Sequence, residues 1–254
     1  MKSIIQRFLI PAIALLTISG CGLSDYTTRM DAQRQRVKAF DTINDALGDP
    51  ITNPRMSLKT TDGNREVTAW PFGFFLRLPK GISTTPMKNS PFNYTFPCYG
   101  YVGADANFVV LVAAAEVLDD KGEEGIGKYT PAKFRSYLRG AFDDFYFKTY
   151  HAKAALRVKS KGARVTKKAV SVYPDNTQTA FDRDVYLDGQ GREFDIYIYS
   201  SYTKQLCVAF DYPATWSGNE QLNTKIDLCL GSLDTSSHAA GRRERFMQMK
   251  ASSP

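Results

Sequence analysis

The chain has 254 residues, 43% of them hydrophobic and 23% charged, with a formal charge of +7. That balance is globular, and the length suits one main domain with one sizeable core. The positive surplus is too small to argue for a nucleic-acid partner.

Lys2 and Arg7 precede an apolar run from Phe8 to Ile18, broken by Pro11 and Thr17, which is the order of a secretory leader. Its eleven residues fall short of the roughly twenty that a helix needs to span a bilayer. The run closes on Ile18-Ser19-Gly20-Cys21, aliphatic, small, small, cysteine, and so resembles the lipobox of bacterial lipoproteins. The resemblance implies that Cys21 receives a diacylglyceryl group, that residues 1–20 are cut away as a signal peptide, and that the new amine is acylated. Several acyl chains would then hold the protein to a membrane, where one chain binds only reversibly. Gly22, in place of an aspartate, implies an exported protein on the outer membrane facing the periplasm. Loss of Lys2 and Arg7 lowers the charge from +7 to +5.

Ser24 to Leu47 carries Met30, Val37, Phe40, Ile43 and Leu47 along one helical stripe, stopped by Gly48-Asp49-Pro50. This N-terminal helix is expected to be a spacer, followed by a linker from Ile51 to Arg65, so that residues 21–65 join the anchor to a globular domain at 66–233. Trp70 to Leu78, Tyr94 to Val102 and Asn107 to Leu118 are expected as strands, the last with a continuous apolar run suited to burial on both faces. Asp119 to Gly127 is an acidic loop. Thr130-Pro131 then opens a helix with Phe134, Leu138, Ala141, Phe145 and Thr149 on one face. Arg164 to Tyr173, Thr177 to Leu187, Glu193 to Tyr199 and Gln205 to Tyr212 form four strands with short connections, which predict an antiparallel meander. A last helix starts near Ser217 with Leu222, Ile226, Cys229, Leu230 and Leu233 on its stripe. Residues 234–254 lose that periodicity and are expected to be a disordered basic tail.

Two strand ends, Leu78-Pro79-Lys80-Gly81 and Leu206-Cys207-Val208-Ala209-Phe210-Asp211-Tyr212-Pro213, together with this order of elements, resemble the Mog1/PsbP/DcrB-like architecture over Trp70 to Leu233. The resemblance implies an α+β fold, a curved antiparallel sheet flanked by helices. It supplies no catalytic set, because members of that group mostly bind partners or support assemblies.

Eight basic residues without an intervening acid lie between positions 148 and 168: Lys148, Lys153, Arg157, Lys159, Lys161, Arg164, Lys167 and Lys168. They are candidates to contact an anionic envelope polymer or an envelope protein. The alternative is a solvated edge strand whose lysines block unwanted pairing. Cys98, Cys207 and Cys229 allow at most one disulfide, with Cys207–Cys229 and a partnership with Cys98 both open. With only His151 and His238 beside them, they do not resemble a metal site. Asp143-Asp144 and Glu123-Glu124 are adjacent carboxylates that do not face one cleft, Ser200-Ser201 sits in a hairpin, and no catalytic triad or phosphate-loop spacing is present. Gly100 and Gly103 suit close strand packing. Phe72, Phe74, Phe75, Phe92, Tyr94 and Phe96 fill a core or line a cavity. The expectation is therefore a non-catalytic, lipid-anchored envelope protein without cofactor, in an interaction or structural role. The alternative is a carrier or sensor of a small apolar ligand, and third comes an enzyme of unrecognised type.

Overall fold

The computed structural model describes residues 25–51, 55–60, 63–68, 70–87, 98–104, 107–118, 128–150, 156–168 and 178–251. The leader and Cys21 lie outside the described residues. Helix α1 covers residues 25–46, is exposed along most of its length, and carries the pairs Arg29–Asp25 and Arg34–Asp31 at 2.9 and 3.6 Å. No helix among the described residues is long and apolar enough to cross a membrane.

The remaining chain is α+β. Strand β1 (Leu47–Pro50) pairs antiparallel with β4 (Arg77–Pro79). Within the segment expected as a linker, β2 (Arg55–Thr60) and β3 (Gly63–Thr68) form an antiparallel hairpin closing at Thr60↔Gly63. The strand expected over Trp70 to Leu78 shrinks to β4, because Pro71 and Gly73 interrupt a ladder. Phe75 makes only an isolated bridge to Asp234.

The main sheet runs in the order β5 (Cys98–Val102), β6 (Val109–Val117), β11 (Lys204–Pro213), β10 (Arg192–Ser200), β9 (Gln178–Leu187), β8 (Arg157–Lys168), all antiparallel. Short β7 (Lys128–Tyr129) adds a parallel pairing to the end of β6. The meander β8 to β11 thus folds consecutively, and its last strand docks on β6, whose first seven residues are buried on both faces.

Helix α2 (Pro131–Tyr150) covers one face. Thr130 Oγ1 accepts the Lys133 N–H at 3.4 Å, and Phe134, Leu138, Phe142, Phe145 and Tyr146 form the buried stripe. These meet Val109, Leu111, Ala113, Cys207, Ala209, Phe194, Ile196 and Ile198, alternate residues of three neighbouring strands. The opposite face carries α3 (Glu220–Gly231), capped by Asn219, whose Oδ1 accepts the Leu222 N–H at 3.0 Å. A 3-10 turn (Ala214–Trp216) links β11 to it.

The tail expected as disordered contains α4 (Ala239–Ala251). Its Ala, Arg, Glu, Gln, Met and Lys residues are good helix formers. Phe246 stacks edge-on against Phe75, with the Arg77 guanidinium 4.6 Å above its ring. Ordered structure therefore continues past Leu233.

Candidate functional site

The basic segment that stands out in the sequence becomes β8, the far edge of the main sheet, and nearly all of it is exposed. Lys148 and Lys153 have no described side chains. The other six do not form one patch, since the register sorts them. Arg157, Lys159 and Lys167 lie toward the α3 face, whereas Lys161, Arg164 and Lys168 lie toward the α2 face.

Each group is partly engaged. On the α3 face, Lys159 pairs at 2.7 Å with Glu193, whose side chain is 3% exposed, and Tyr212 donates to the other oxygen of that carboxylate at 3.1 Å. Beside it Arg183 makes a two-pronged pair with buried Asp195 at 2.7 and 2.8 Å, completed by the Tyr197 hydroxyl at 2.9 Å. The hydrogen bond to Asp195 raises the pKa of Arg183 further, and burial pushes the tyrosines up. Lys167 reaches Asp227 on α3. On the α2 face, Arg164 and Arg135 share Asp182 at 2.8 and 2.6 Å. Burial acts to raise Asp182, but the two guanidiniums prevail and hold it below the usual carboxylate range. Among the described residues, Arg157, Lys161 and Lys168 make no ion pair.

Lys161 owes its direction to two consecutive irregularities. Val158 stands opposite Tyr186, Ser160 opposite Val185 and Ala163 opposite Arg183, so β8 carries extra residues on both sides of Ser160. In a regular strand Lys159 and Lys161 would share a face. The first bulge puts Lys159 and Ser160 together on the α3 side and sends Lys161 to the other. Gly162 sustains the second bulge with φ +70°, and its N–H donates to Asp184 Oδ1 at 2.6 Å. Such bulges re-aim side chains and collect near binding sites.

Lys161 there borders a cleft of about 320 Å3 between α2 and strands β8 to β10. Its apolar wall is Leu138, Phe142, Ile196 and Ile198; its polar rim is Arg135, Arg139, Lys161 and Asp184. A second, larger cleft of about 480 Å3 lies where Lys80 and Ile82 meet Phe108, Trp216 and the start of α3.

The three cysteines are buried free thiols. Cys98 and Cys207 both register with Ala113 from opposite sides, so two strand spacings, about 9.5 Å, separate them, beyond the about 7 Å limit for a bridge. Cys229 sits on the α3 stripe at the other face. Burial raises all three thiol pKa values, which keeps them protonated. Asp143 and Asp144 are exposed on α2. Glu123-Glu124, His151, Phe92, Tyr94 and Phe96 lie outside the described residues. Phe74 and Phe75 belong to the core, with Trp70 packing edge-on against Phe74 and Tyr99. Gly100 permits close packing, as a Cβ there would meet Met87 Sδ at 3.2 Å and Leu111 Cδ2 at 3.3 Å.

Sequence reasoning missed a buried cluster at the end of the α2 face. Asp211, fully buried on β11, accepts from Arg192 Nε at 2.7 Å and from the Tyr150 hydroxyl at 2.6 Å. The Arg192 guanidinium also donates to the Asn107 carbonyl at 2.9 Å and lies 4.8 Å above the Tyr150 ring. Burial raises the Asp211 pKa, with Arg192 and Tyr150 pulling against it. The three residues are far apart in sequence, so only the fold reveals the cluster.

No family model matches the sequence, and no curated protein matches it. Among solved structures the chain is similar to cyanobacterial PsbP (CyanoP) from Synechocystis, at 12% identity and a TM-score of 0.38, over 73% of this chain and 94% of that one. It is also similar to a protein from Bacteroides thetaiotaomicron, at 9% identity and a TM-score of 0.31, over 65% of this chain and 45% of that one.

Proposed function

We propose that this is a bacterial cell-envelope lipoprotein, exported and anchored through acylated Cys21 to the outer membrane facing the periplasm, with a non-catalytic interaction or structural role. The observation that carries the reading is Ile18-Ser19-Gly20-Cys21 at the end of an eleven-residue apolar run behind Lys2 and Arg7. The exposed cations Arg157, Lys161 and Lys168 on β8 are the contacts offered to an anionic envelope component. The finer assignment of the fold to the Mog1/PsbP/DcrB-like group belongs to the same proposal and rests on element order and the two strand ends. The test is intact-mass analysis of the N-terminal peptide with an alkaline wash of membranes. Acyl mass on Cys21 and retention in the pellet are expected; an unmodified Cys21 thiol or release into the wash overturns the reading.

A second reading, carriage of a small ligand, is favoured by one observation, the cleft beneath α2 with its apolar wall. It differs from the cavity of Phe and Tyr residues considered in the sequence: the wall is largely Leu and Ile, and cations line the rim.

A further inference from the structure

We infer that the cleft between α2 and strands β8 to β10 binds a single-chain anionic amphiphile, a medium-chain fatty carboxylate. The headgroup sits between Arg139 and Lys161, and the tail lies on Leu138, Phe142, Ile196 and Ile198. This deepens the carrier reading and borrows from the envelope reading only the place where such amphiphiles are met.

Charge complementarity selects the occupant. Three cations, Arg135, Arg139 and Lys161, line the cleft against one carboxylate, Asp184. Arg135 is engaged by Asp182, which Arg164 also neutralises, and Asp184 spends one oxygen on the Gly162 N–H. Arg139 lies one helical turn from the exposed Asp143, a carboxylate whose pKa burial raises while Arg139 opposes the rise, and acts also on the Tyr186 hydroxyl of the cleft lining. Among the described residues neither Arg139 nor Lys161 makes an ion pair. Counting Asp143, Asp182 and Asp184 against Arg135, Arg139, Lys161 and Arg164, the surroundings keep a net positive charge. A neutral apolar ligand would waste that surplus, and a headgroup alone would leave the wall unused.

Size argues for one chain. At about 320 Å3 the cleft is at the small end of the about 300–1,000 Å3 usual for small-molecule sites, too small for a multi-chain lipid. The edge strand is also shaped for the purpose. Without the first bulge Lys161 would point to the α3 face, and the cleft would lose one of its two uncommitted cations; the second bulge, held by Gly162 and Asp184, restores the alternation beyond it.

The test uses the full chain in the membranes or soluble fraction where it is found, exposed to decanoate carrying a terminal diazirine and irradiated. Saturable labelling within residues 134–146 or 194–200, competed by plain decanoate, is expected. The matching diazirine alcohol labels these peptides at least about tenfold less well, the scale of one lost charge-assisted contact. Arg139→Gln with Lys161→Gln raises the half-saturating concentration about tenfold or more, whereas Lys168→Gln, on the same strand and face but outside the cleft, leaves it unchanged. Labelling that does not saturate, that falls elsewhere, that is equal for the alcohol, or that ignores the double substitution overturns the inference. Because the label reads the cleft whether or not Cys21 is acylated, its failure and that of the anchor reading are separable.

Discussion

Replacing Arg192 by Met removes, among the described residues, the only cation bonded to Asp211, a carboxylate with no exposed surface. Deleting one partner of a buried pair costs about 3–5 kcal/mol, because the remaining charge stays desolvated. At about 2–4 °C per kcal/mol for a domain of this size, the melting temperature should fall by about 6–20 °C. Met keeps most of the side-chain volume, so the loss reports the charge, the bond to the Asn107 carbonyl and the contact with the Tyr150 ring. The double variant Arg192→Met with Asp211→Asn separates these, since a neutral amide needs no counter-ion; it should recover about 1–3 kcal/mol of the loss. The pH dependence follows from the raised Asp211 pKa. A carboxyl whose folded pKa exceeds its unfolded value contributes stability that is present below the unfolded pKa and fades as pH rises through the folded one. Losing Arg192 lifts the folded pKa further and widens that window. The Arg192→Met deficit should therefore grow between about pH 4 and pH 7, and Asp211→Asn should abolish the growth. Urea unfolding followed by far-UV circular dichroism at both pH values reads all three variants. A deficit independent of pH, or a double variant less stable than Arg192→Met alone, would refute the reasoning.

Thiol alkylation without reductant should modify Cys98, Cys207 and Cys229 only after denaturation, and then all three; a pair protected until reduction would contradict the three free thiols. Gly162→Ala should cost about 1–2 kcal/mol, all of it conformational, because an added Cβ meets nothing within 4 Å while φ is +70°. Urea unfolding measures that cost, and a neutral substitution would mean that β8 has no left-handed residue there. Asn219→Ala should remove about 1 kcal/mol by uncapping α3, read the same way. Amide exchange within 239–251 should be slowed by helix α4 relative to an unstructured peptide, and Phe246→Ala should release it; free exchange in the unsubstituted chain would restore the disordered tail.

Much of the fold was legible because its elements carry their own period. The stripes of α2 and α3 recur at three and four residues, and Asp188-Gly189-Gln190-Gly191 separates two alternating strands so plainly that the meander follows. The missed pieces are weakly amphipathic. The β2–β3 hairpin has only Met56, Leu58 and Val67 as apolar residues, so its polar composition reads as a linker. Helix α4 docks by buried Ala239, by Phe246 and by Arg242 and Lys250 on carboxylates, and one aromatic in a charged helix makes no stripe. The Arg192–Asp211–Tyr150 cluster could not be read at all, since ion pairs across strands depend on register, and register is a property of the assembled sheet.

The basic segment shows why counting charges along a strand misjudges a site. Read linearly, Arg157 to Lys168 is one cationic patch; read with strict alternation, Lys159, Lys161 and Lys167 share a face and Arg164 opposes them. Neither holds, because the bulges shift the phase midway. Lys159 then pairs with buried Glu193, a carboxylate that would cost several kcal/mol without a partner, and Lys167 with the exposed Asp227 on α3. Lys161 is left facing the α2 cleft and, among the described residues, makes no ion pair. The signal was present in sequence as Gly162, the only glycine in an otherwise extended, charged strand, and a lone glycine in a strand marks a bulge more readily than a flaw. Two bulges, the second held by Gly162, thus place Lys159 and Lys167 beside carboxylates of the α3 side and turn Lys161 to the α2 cleft.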